Sequence, residues 1–218
     1  MLYLQVFTFN GFQENTYVLW DDTREAVIID PGCSDRQERE ELKEFIEDED
    51  LKVVKLLNTH AHVDHVLGNA FVKRTWGVPL YLHPLDLPVL KSVAVRAPSY
   101  RIFDYEETEP DAWLEEGTPV TFGETTLEVL HVPGHAPGHV AFVNRESNLC
   151  ISGDVLFYGS IGRWDFPFCN FDDLISSIKN KLFPLGDEME VFPGHGPSTT
   201  IGRERLENPY VGANGQYA

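Results

Sequence analysis

Residues 59–65 read Thr59-His60-Ala61-His62-Val63-Asp64-His65, and no other run constrains the chain as tightly. Four side chains able to hold a metal fall between His60 and His65, directly after the apolar segment Val53-Val54-Lys55-Leu56-Leu57. Imidazole and carboxylate donors suit zinc, iron or manganese. A fold built on this run must end a strand where cations can be gathered. Alternate residues at the end of an extended segment share a side, so His60 and His62 are expected to bind one ion together. Asp64 and His65 fall where the chain turns out of the strand and are expected to reach a second ion nearby.

Three further candidate ligands stand just after expected strands, each in a turn containing glycine or proline. They are His135 in His131-Val132-Pro133-Gly134-His135, Asp154 in Ile151-Ser152-Gly153-Asp154, and His195 in Phe192-Pro193-Gly194-His195-Gly196. Glycine beside a ligand lets backbone approach closely, and loops at strand ends are where sites assemble. Each of the three alone reads as a turn residue. Their weight comes from combination with the first run, and four strand ends are expected to converge on one place.

Patterning places the strands that carry these turns. β-Branched and aromatic runs at 2–9, 15–20 and 25–30, separated by Asn10-Gly11 and Asp21-Asp22, predict an antiparallel meander. Ser34 and Gln37 form a capping-box pattern ahead of a helix with an apolar stripe of Leu42, Phe45 and Ile46. A helix at 70–76 closed by Gly77, a strand at 79–83 and a helix from 85 towards 97 follow. Residues 98–117 break the pattern, with Tyr100, Phe103 and Tyr105 set among acids, and long loops of this kind are often functional. Beyond them come a hairpin around Gly123-Glu124 and strands at 139–144 and 149–152. Leu174, Ile175, Ile178 and Leu182 mark a helix, followed by a strand at 189–192 and a terminal helix at 199–207. Two similar sets of elements thus flank 98–117. With no Ser/Gly-rich linker to divide it, the chain reads as a single domain over 1–218, a layered α/β sandwich with facing sheets and helices outside.

Composition excludes several classes of function. A hydrophobic content of 42% with 12% aromatics suits a buried core. A formal charge of −18, from 35 acidic against 17 basic residues, repels a phosphate backbone, so no nucleic-acid partner is expected. The acids at 38–50 and 104–116 read as solvated surface. Cys33, Cys150 and Cys169 are odd in number and lack metal-finger spacing, which excludes a disulfide framework and implies a reducing compartment. The N-terminal residues carry no basic segment ahead of an apolar stretch, and no apolar run is long enough to span a bilayer. The expectation is a cytoplasmic protein acting on a small molecule, without a membrane partner.

These residues also carry a family resemblance. The 59–65 run, Pro133-Gly134-His135-Ala136-Pro137-Gly138-His139, Ser152-Gly153-Asp154 and Pro193-Gly194-His195-Gly196 resemble the metallo-β-lactamase superfamily, in particular its glyoxalase II-like (hydroxyacylglutathione hydrolase-like) short forms. Asn15-Thr16-Tyr17-Val18 and Asp30-Pro31-Gly32 fit as well, so the likeness covers nearly the whole chain. What it implies is a four-layer αββα sandwich and two divalent ions, zinc first, with iron or manganese as alternatives. In that pattern His60, His62 and His135 hold the first ion, Asp64, His65 and His195 the second, and Asp154 bridges. The other histidines have plainer readings: His83 before Pro84 as a structural residue, His131 and His139 as groups supporting a ligand loop from behind. Cys169 reads as an inert thiol near the mouth. Arg163 and Asp165 are expected to pair and hold the loop after Asp154, and Arg163 is also the candidate contact for an anionic substrate.

The chemistry implied is attack by a metal-bound hydroxide on a polarised carbonyl, with Asp64 orienting the water or taking its proton. A thiolate leaves without a strong acid, because a free thiol has a pKa of about 8.5, so small thioesters such as S-lactoylglutathione are the expected substrates. Two departures from glyoxalase II bear on glutathione. No basic helical extension like that family's is expected after the terminal helix at 199–207, and Asp165 stands where a tyrosine is expected. Rival readings are a lactonase, a β-lactamase, and a persulfide dioxygenase with one iron on two histidines and an aspartate. A superfamily RNase would bring a basic surface, and a flavodiiron-like module a glutamate at the position of His62. A non-enzymatic metal-dependent scaffold is the plainest alternative, and seven intact ligand positions argue against it.

Overall fold

The N-terminal alternation becomes a meander of β1 (Leu2–Phe9), β2 (Glu14–Asp21) and β3 (Glu25–Ile29), paired antiparallel from Leu2 opposite Asp21 to Phe9 opposite Glu14. The computed structural model describes residues 1–218. Helix α1 (Arg36–Asp48) follows, and its capping box lies one residue beyond the Ser34/Gln37 pair. Asp35 accepts from Glu38 N at 3.0 Å, and the Glu38 carboxylate accepts from Asp35 N at 3.4 Å. Ser34 donates its N–H and hydroxyl to Glu38 as well, at 2.6 and 2.9 Å. A carboxylate is a stronger acceptor than a hydroxyl, and Asp35 has a glutamate three residues on, so the box forms there. Leu42 and Ile46 are buried against Phe7, Val18, Ile28 and Leu56, with Phe45 partly buried beside them.

Strand β4 (Lys52–Leu57) lies parallel to β3 and leads into a one-turn helix, α2 (Val63–Val66), and α3 (Asn69–Trp76). Gly77 closes α3 in the left-handed region, at φ 66°. Strand β5 (Leu80–Leu82) is parallel to β4, and a 3₁₀ turn at Pro84–Asp86 opens α4 (Leu87–Arg96). Val66, Leu82, Leu90 and Val93 form one cluster with Ala61, so the histidine run rests on packed helices. The irregular stretch 98–117 contributes β6 (Ala112–Trp113), parallel to β5. A two-residue edge strand is too short to show periodicity, which is why the pattern hid it. The first sheet therefore runs β1-β2-β3-β4-β5-β6.

The second half adds β7 (Val120–Phe122), β8 (Thr125–His131), β9 (Val140–Asn144) and β10 (Leu149–Gly153). After them come a small hairpin of β11 (Leu156–Phe157) and β12 (Ser160–Ile161), then α5 (Phe171–Ser177), β13 (Glu190–Pro193), β14 (Thr199–Thr200) and α6 (Ile201–Glu207). The second sheet runs β14-β13-β10-β9-β8-β7. Strands β9 and β10 are buried on both faces, so they read as continuous apolar runs rather than alternating ones. Helix α5 continues into a π turn at Ile178–Leu182, with Leu174, Ile178 and Leu182 all buried. Thr200, the last residue of β14, caps α6 by accepting from Arg203 N at 3.2 Å. By its contacts the chain divides into two units, Met1–Leu114 with Val120–Thr126, and Glu115–Pro119 with Leu127–Ala218. No helix is long and apolar enough to cross a membrane.

One carboxylate ties the turn after β2 to the turn between β7 and β8. Buried Asp21 accepts from Thr23 N at 2.9 Å, Glu124 N at 2.7 Å and Thr125 Oγ1 at 2.9 Å, and from the Thr23 hydroxyl. Burial alone pushes its pKa up, but these bonds outweigh burial and hold the carboxyl below its usual range. A depressed folded pKa gives stability that is present above the unfolded value of about 3.9 and lost as pH falls through the folded value. Asp21→Ala is therefore expected to lose about 2–4 kcal/mol at neutral pH. Urea midpoints should show the loss with an unchanged slope, and the gap from the parent should narrow as pH drops below about 4.

Candidate metal centre

Strand β4 ends at Leu57, and the histidine run lies beyond it. His62 is the residue that precedes α2, while Asp64 and His65 occupy its single turn. The run is thus a loop followed by a helical turn, not an extension of the strand. His60 and His62 still face one another, with ring centroids 4.8 Å apart at 85°. Their ligand nitrogens lie within 4.8 Å of each other, as do the ligand atoms of Asp64 and His65.

This shape is held from behind by Asp30, which follows β3 in the left-handed region at φ 50°. Aspartate tolerates that conformation better than most residues. The bend aims its carboxylate at the loop, where it accepts from Thr59 N at 2.7 Å, from the Thr59 hydroxyl, and from His65 Nδ1 at 3.1 Å. Asp86 accepts from Ala61 N at 2.7 Å, and Asn10 Nδ2 donates to Gly32 O at 2.9 Å and Asp64 O at 3.0 Å. Buried Glu14 lies 3.8 Å from His65 Nδ1, and burial pushes its carboxyl well above the usual range. Asp30, Glu14 and Asp86 were not read as site residues in the sequence. The Asp30-Pro31-Gly32 punctuation was the one available signal, since a breaker pair directly after a strand marks a forced turn.

In the second unit, Gly134 at φ 134° lets the His135 loop lie against α5. A Cβ there would stand 2.2 Å from Leu174 N. Asn170 locks the contact, donating its N–H to Gly134 O at 2.7 Å and capping α5 through its side chain. Gly162 likewise lets the chain cross Asp154, since a Cβ would stand 2.1 Å from Asp154 O. His135 Nδ1 donates to Arg163 O at 2.9 Å, and Asp154 N donates to His139 Nε2 at 3.0 Å. His131 Nε2 donates to Pro137 O at 2.9 Å, stapling the His135 loop. Gly194 N donates to Gly153 O at 2.9 Å, which ties the His195 and Asp154 turns together.

Asp154 Oδ2 lies 3.5 Å from His135 Nε2 and equally 3.5 Å from His195 Nε2. These separations exceed a good hydrogen bond of about 2.7–3.2 Å. They match the distance of about 3.4 Å between two donors on one tetrahedral ion with bonds of about 2.1 Å. The imidazoles agree with this. Nδ1 of His60 meets Thr59 Oγ1 at 3.0 Å, that of His65 meets Asp30, and that of His135 meets a carbonyl, which turns each Nε2 the opposite way. Metal-binding histidines are supported in this manner, and a nitrogen and carboxylate set without thiolate fits zinc, iron or manganese.

The remaining candidates fall outside this set. His83 Nδ1 accepts from Leu85 N at 3.3 Å and caps a turn. Cys169 Sγ donates to His135 O at 3.0 Å, and burial raises its pKa, so the thiol is a weak nucleophile. Arg163 pairs with Asp165 through Nε at 2.9 Å and Nη2 at 2.8 Å.

The sequence profile of the metallo-beta-lactamase superfamily matches residues 9–195. The chain belongs to that superfamily. Hydroxyacylglutathione hydrolase GloC of Haemophilus influenzae is 39% identical over 95% of this chain and 97% of its own length. The structure is similar to that of the BLEG-1 B3 metallo-beta-lactamase, with a TM-score of 0.87 and 36% identity over 96% of this chain and 99% of that one. It is also similar to TTHA1623 in a di-iron-bound form, with a TM-score of 0.84 and 40% identity over 94% and 98%. The resemblance read from the sequence is borne out, and the chain has the metallo-β-lactamase fold. That fold typically binds two metal ions, and the His and Asp clusters described above supply its donor chemistry.

Asp30→Asn keeps the size and the left-handed tolerance of Asp30 but removes the charge behind His65. It is expected to weaken metal retention by about 10–100-fold, measured by competition with a chromophoric chelator, with far-UV circular dichroism unchanged.

Proposed function

We propose that the protein is a dinuclear metal-dependent hydrolase of small thioesters. The observation that carries this is Asp154 Oδ2, equidistant at 3.5 Å from His135 Nε2 and His195 Nε2, as a carboxylate oxygen shared by two ions would be. In this reading His60, His62 and His135 would hold one ion and Asp64, His65 and His195 the other, with Asp154 available to both. Zinc is the first choice, and the di-iron form of TTHA1623 keeps iron in contention. The likeness to GloC over nearly the full length of both chains supports a thioester substrate of the S-lactoylglutathione type.

When bound, two divalent ions would supply a hydroxide nucleophile at neutral pH and polarise the substrate carbonyl. The protein's own groups do the rest. Asp64, largely buried with its carboxylate 3.9 Å from His65 Nε2, orients the attacking water and accepts its proton. Asp30, Thr59 and the Arg163 carbonyl keep the imidazoles in one orientation, so little reorganisation is needed as charge develops. A thiol leaves as thiolate near its pKa of about 8.5 and needs no acid. The likeness to BLEG-1 favours β-lactam opening as a second reading, in which the proton accepted by Asp64 would have to pass to an amine leaving group. The free thiols of Cys33, Cys150 and Cys169 suit a reducing, cytoplasmic setting, and burial pushes Cys33 and Cys150 up to about 12.

Three measurements test this reading. Elemental analysis after metal loading is expected to give two ions per chain, and a single ion would promote the one-iron dioxygenase reading. Asp154→Ala and His135→Ala are each expected to abolish hydrolysis while the urea midpoint of the metal-free protein changes little. S-lactoylglutathione is expected to be turned over with less than a hundredfold advantage, about 2.7 kcal/mol, over the same acyl group on a small neutral thiol. No turnover of either ester by the metal-loaded protein would remove the thioesterase reading.

A further inference from the structure

We infer that Glu204 is a positioning residue of the metal centre: by holding the tip of the β11–β12 hairpin, its carboxylate fixes Asp154 between His135 and His195. The inference rests on the metal-dependent hydrolase reading above and deepens it. These three proposed ligands all belong to the second unit, and each is tied to the hairpin. Asp154 stands two residues before β11. Gly162, directly after β12, donates its N–H to Val155 O at 3.1 Å and closes over the Asp154 carbonyl, where a Cβ would not fit. Arg163, next in the chain, supplies the carbonyl that accepts from His135 Nδ1 at 2.9 Å. Phe157 of β11 lies beside the His195 ring, with centroids 6.4 Å apart. A shift of the hairpin therefore reaches all three ligands at once.

The hairpin is too short to hold itself. Its strands are two residues each, joined by Tyr158-Gly159, and even a longer isolated hairpin is marginal in water. Helix α6 supplies what is missing. Glu204 is fully buried and accepts from Gly159 N at 2.9 Å, Asn208 Nδ2 at 2.7 Å and Thr199 Oγ1 at 2.6 Å, and also from Arg203 Nη1. Asn208 Nδ2 donates to Ser160 O as well, at 3.0 Å, and the Arg203 guanidinium carbon sits 3.6 Å over the Tyr158 ring. Tyr158, Gly159 and Ser160 are thus each gripped from α6 or its C-terminal cap. Four donors match the roughly four acceptor sites of a carboxylate, which a neutral amide of the same size cannot offer. A buried carboxylate paired in this way adds little stability over apolar packing, so its role lies in the one arrangement it enforces. A metal site needs its ligands placed to within about 0.5 Å. Asp154 Oδ2 stands 3.5 Å from both His135 Nε2 and His195 Nε2, and it loses that equidistance if the hairpin drifts.

The test is Glu204→Gln, which keeps the size but turns an amide NH2 toward two of the four donors. The control for lost stability is Leu127→Ala, a substitution in β8 at a buried residue outside the cluster that holds Leu156 and Ile161. Metal-free protein is loaded with cobalt(II), whose visible absorption reports the geometry of its ligands, and amide hydrogen exchange over residues 155–162 follows the hairpin without any metal. Glu204→Gln is expected to change the cobalt spectrum, to lower cobalt affinity about tenfold, and to speed exchange in the hairpin about tenfold. Leu127→Ala is expected to lower the urea midpoint and leave all three at the parent values. A parent-like spectrum or an affinity within threefold of the parent overturns the inference, as does the same spectral change in Leu127→Ala. If Glu204→Gln does not fold, Glu204→Asp, which keeps the charge but draws it back from Gly159 N, is read in the same way. If the unsubstituted protein binds no cobalt, the metal-dependent reading fails on that result, and exchange in the hairpin alone decides the role of Glu204.

Discussion

The carboxylate of Asp30 is the point on which the first half of the site depends. It closes β3 in a conformation that few residues adopt and spends that strain on three donors, Thr59 N, Thr59 Oγ1 and His65 Nδ1. Those donors sit at the two ends of the histidine run. One residue therefore sets both where the loop leaves β4 and which way the last imidazole points. The parallel pairing of β3 with β4 makes this possible, because it brings both strand ends to the same edge of the sheet.

The second unit solves the same problem with backbone instead of carboxylate. His135 and Asp154 are placed by close approaches that only glycine permits, at Gly134 against α5 and at Gly162 over Asp154. The hairpin of β11 and β12 lies between Asp154 and Gly162, with Phe157 beside His195 at 6.4 Å. Glu204 in α6 anchors that hairpin, accepting from Gly159 N at 2.9 Å while it binds Asn208 and Thr199. Trp164, Phe171, Tyr210 and Tyr217 then pack as an aromatic group around the loop that carries Arg163. A dense set of local hydrogen bonds and ring contacts therefore stands behind the few side chains exposed to chemistry.

What the sequence revealed follows the range of the interactions. The strands of the meander, Gly77 as a helix stop and the hairpin at Gly123 were legible because each is set by neighbours in the chain. The turn that each candidate ligand occupies was legible for the same reason. The capping box slipped by one residue because two overlapping patterns were both acceptable, and the choice between them was energetic. Strand β6 and the β11–β12 hairpin were hidden because two residues carry no period. Asp30 and Asp86 were hidden because their partners are far along the chain: Asp30 meets Thr59 and His65, and Asp86 meets Ala61.

The supports behind the imidazoles also differ in kind, and this has a chemical consequence. His60 faces a hydroxyl, His65 a carboxylate and His135 a carbonyl. A carboxylate behind an imidazole raises its basicity more than a neutral acceptor does, so the proposed ligand pair of Asp64 and His65 is the more electron-rich of the two. With two divalent ions held as proposed, four positive charges would meet the carboxylates of Asp30, Asp64 and Asp154, while burial disfavours a charge on Glu14. The hydroxide these ions would supply offsets the charge that remains, inside a chain of formal charge −18. The ions themselves would still polarise a carbonyl oxygen at short range. At longer range the chain's net negative charge discourages anions.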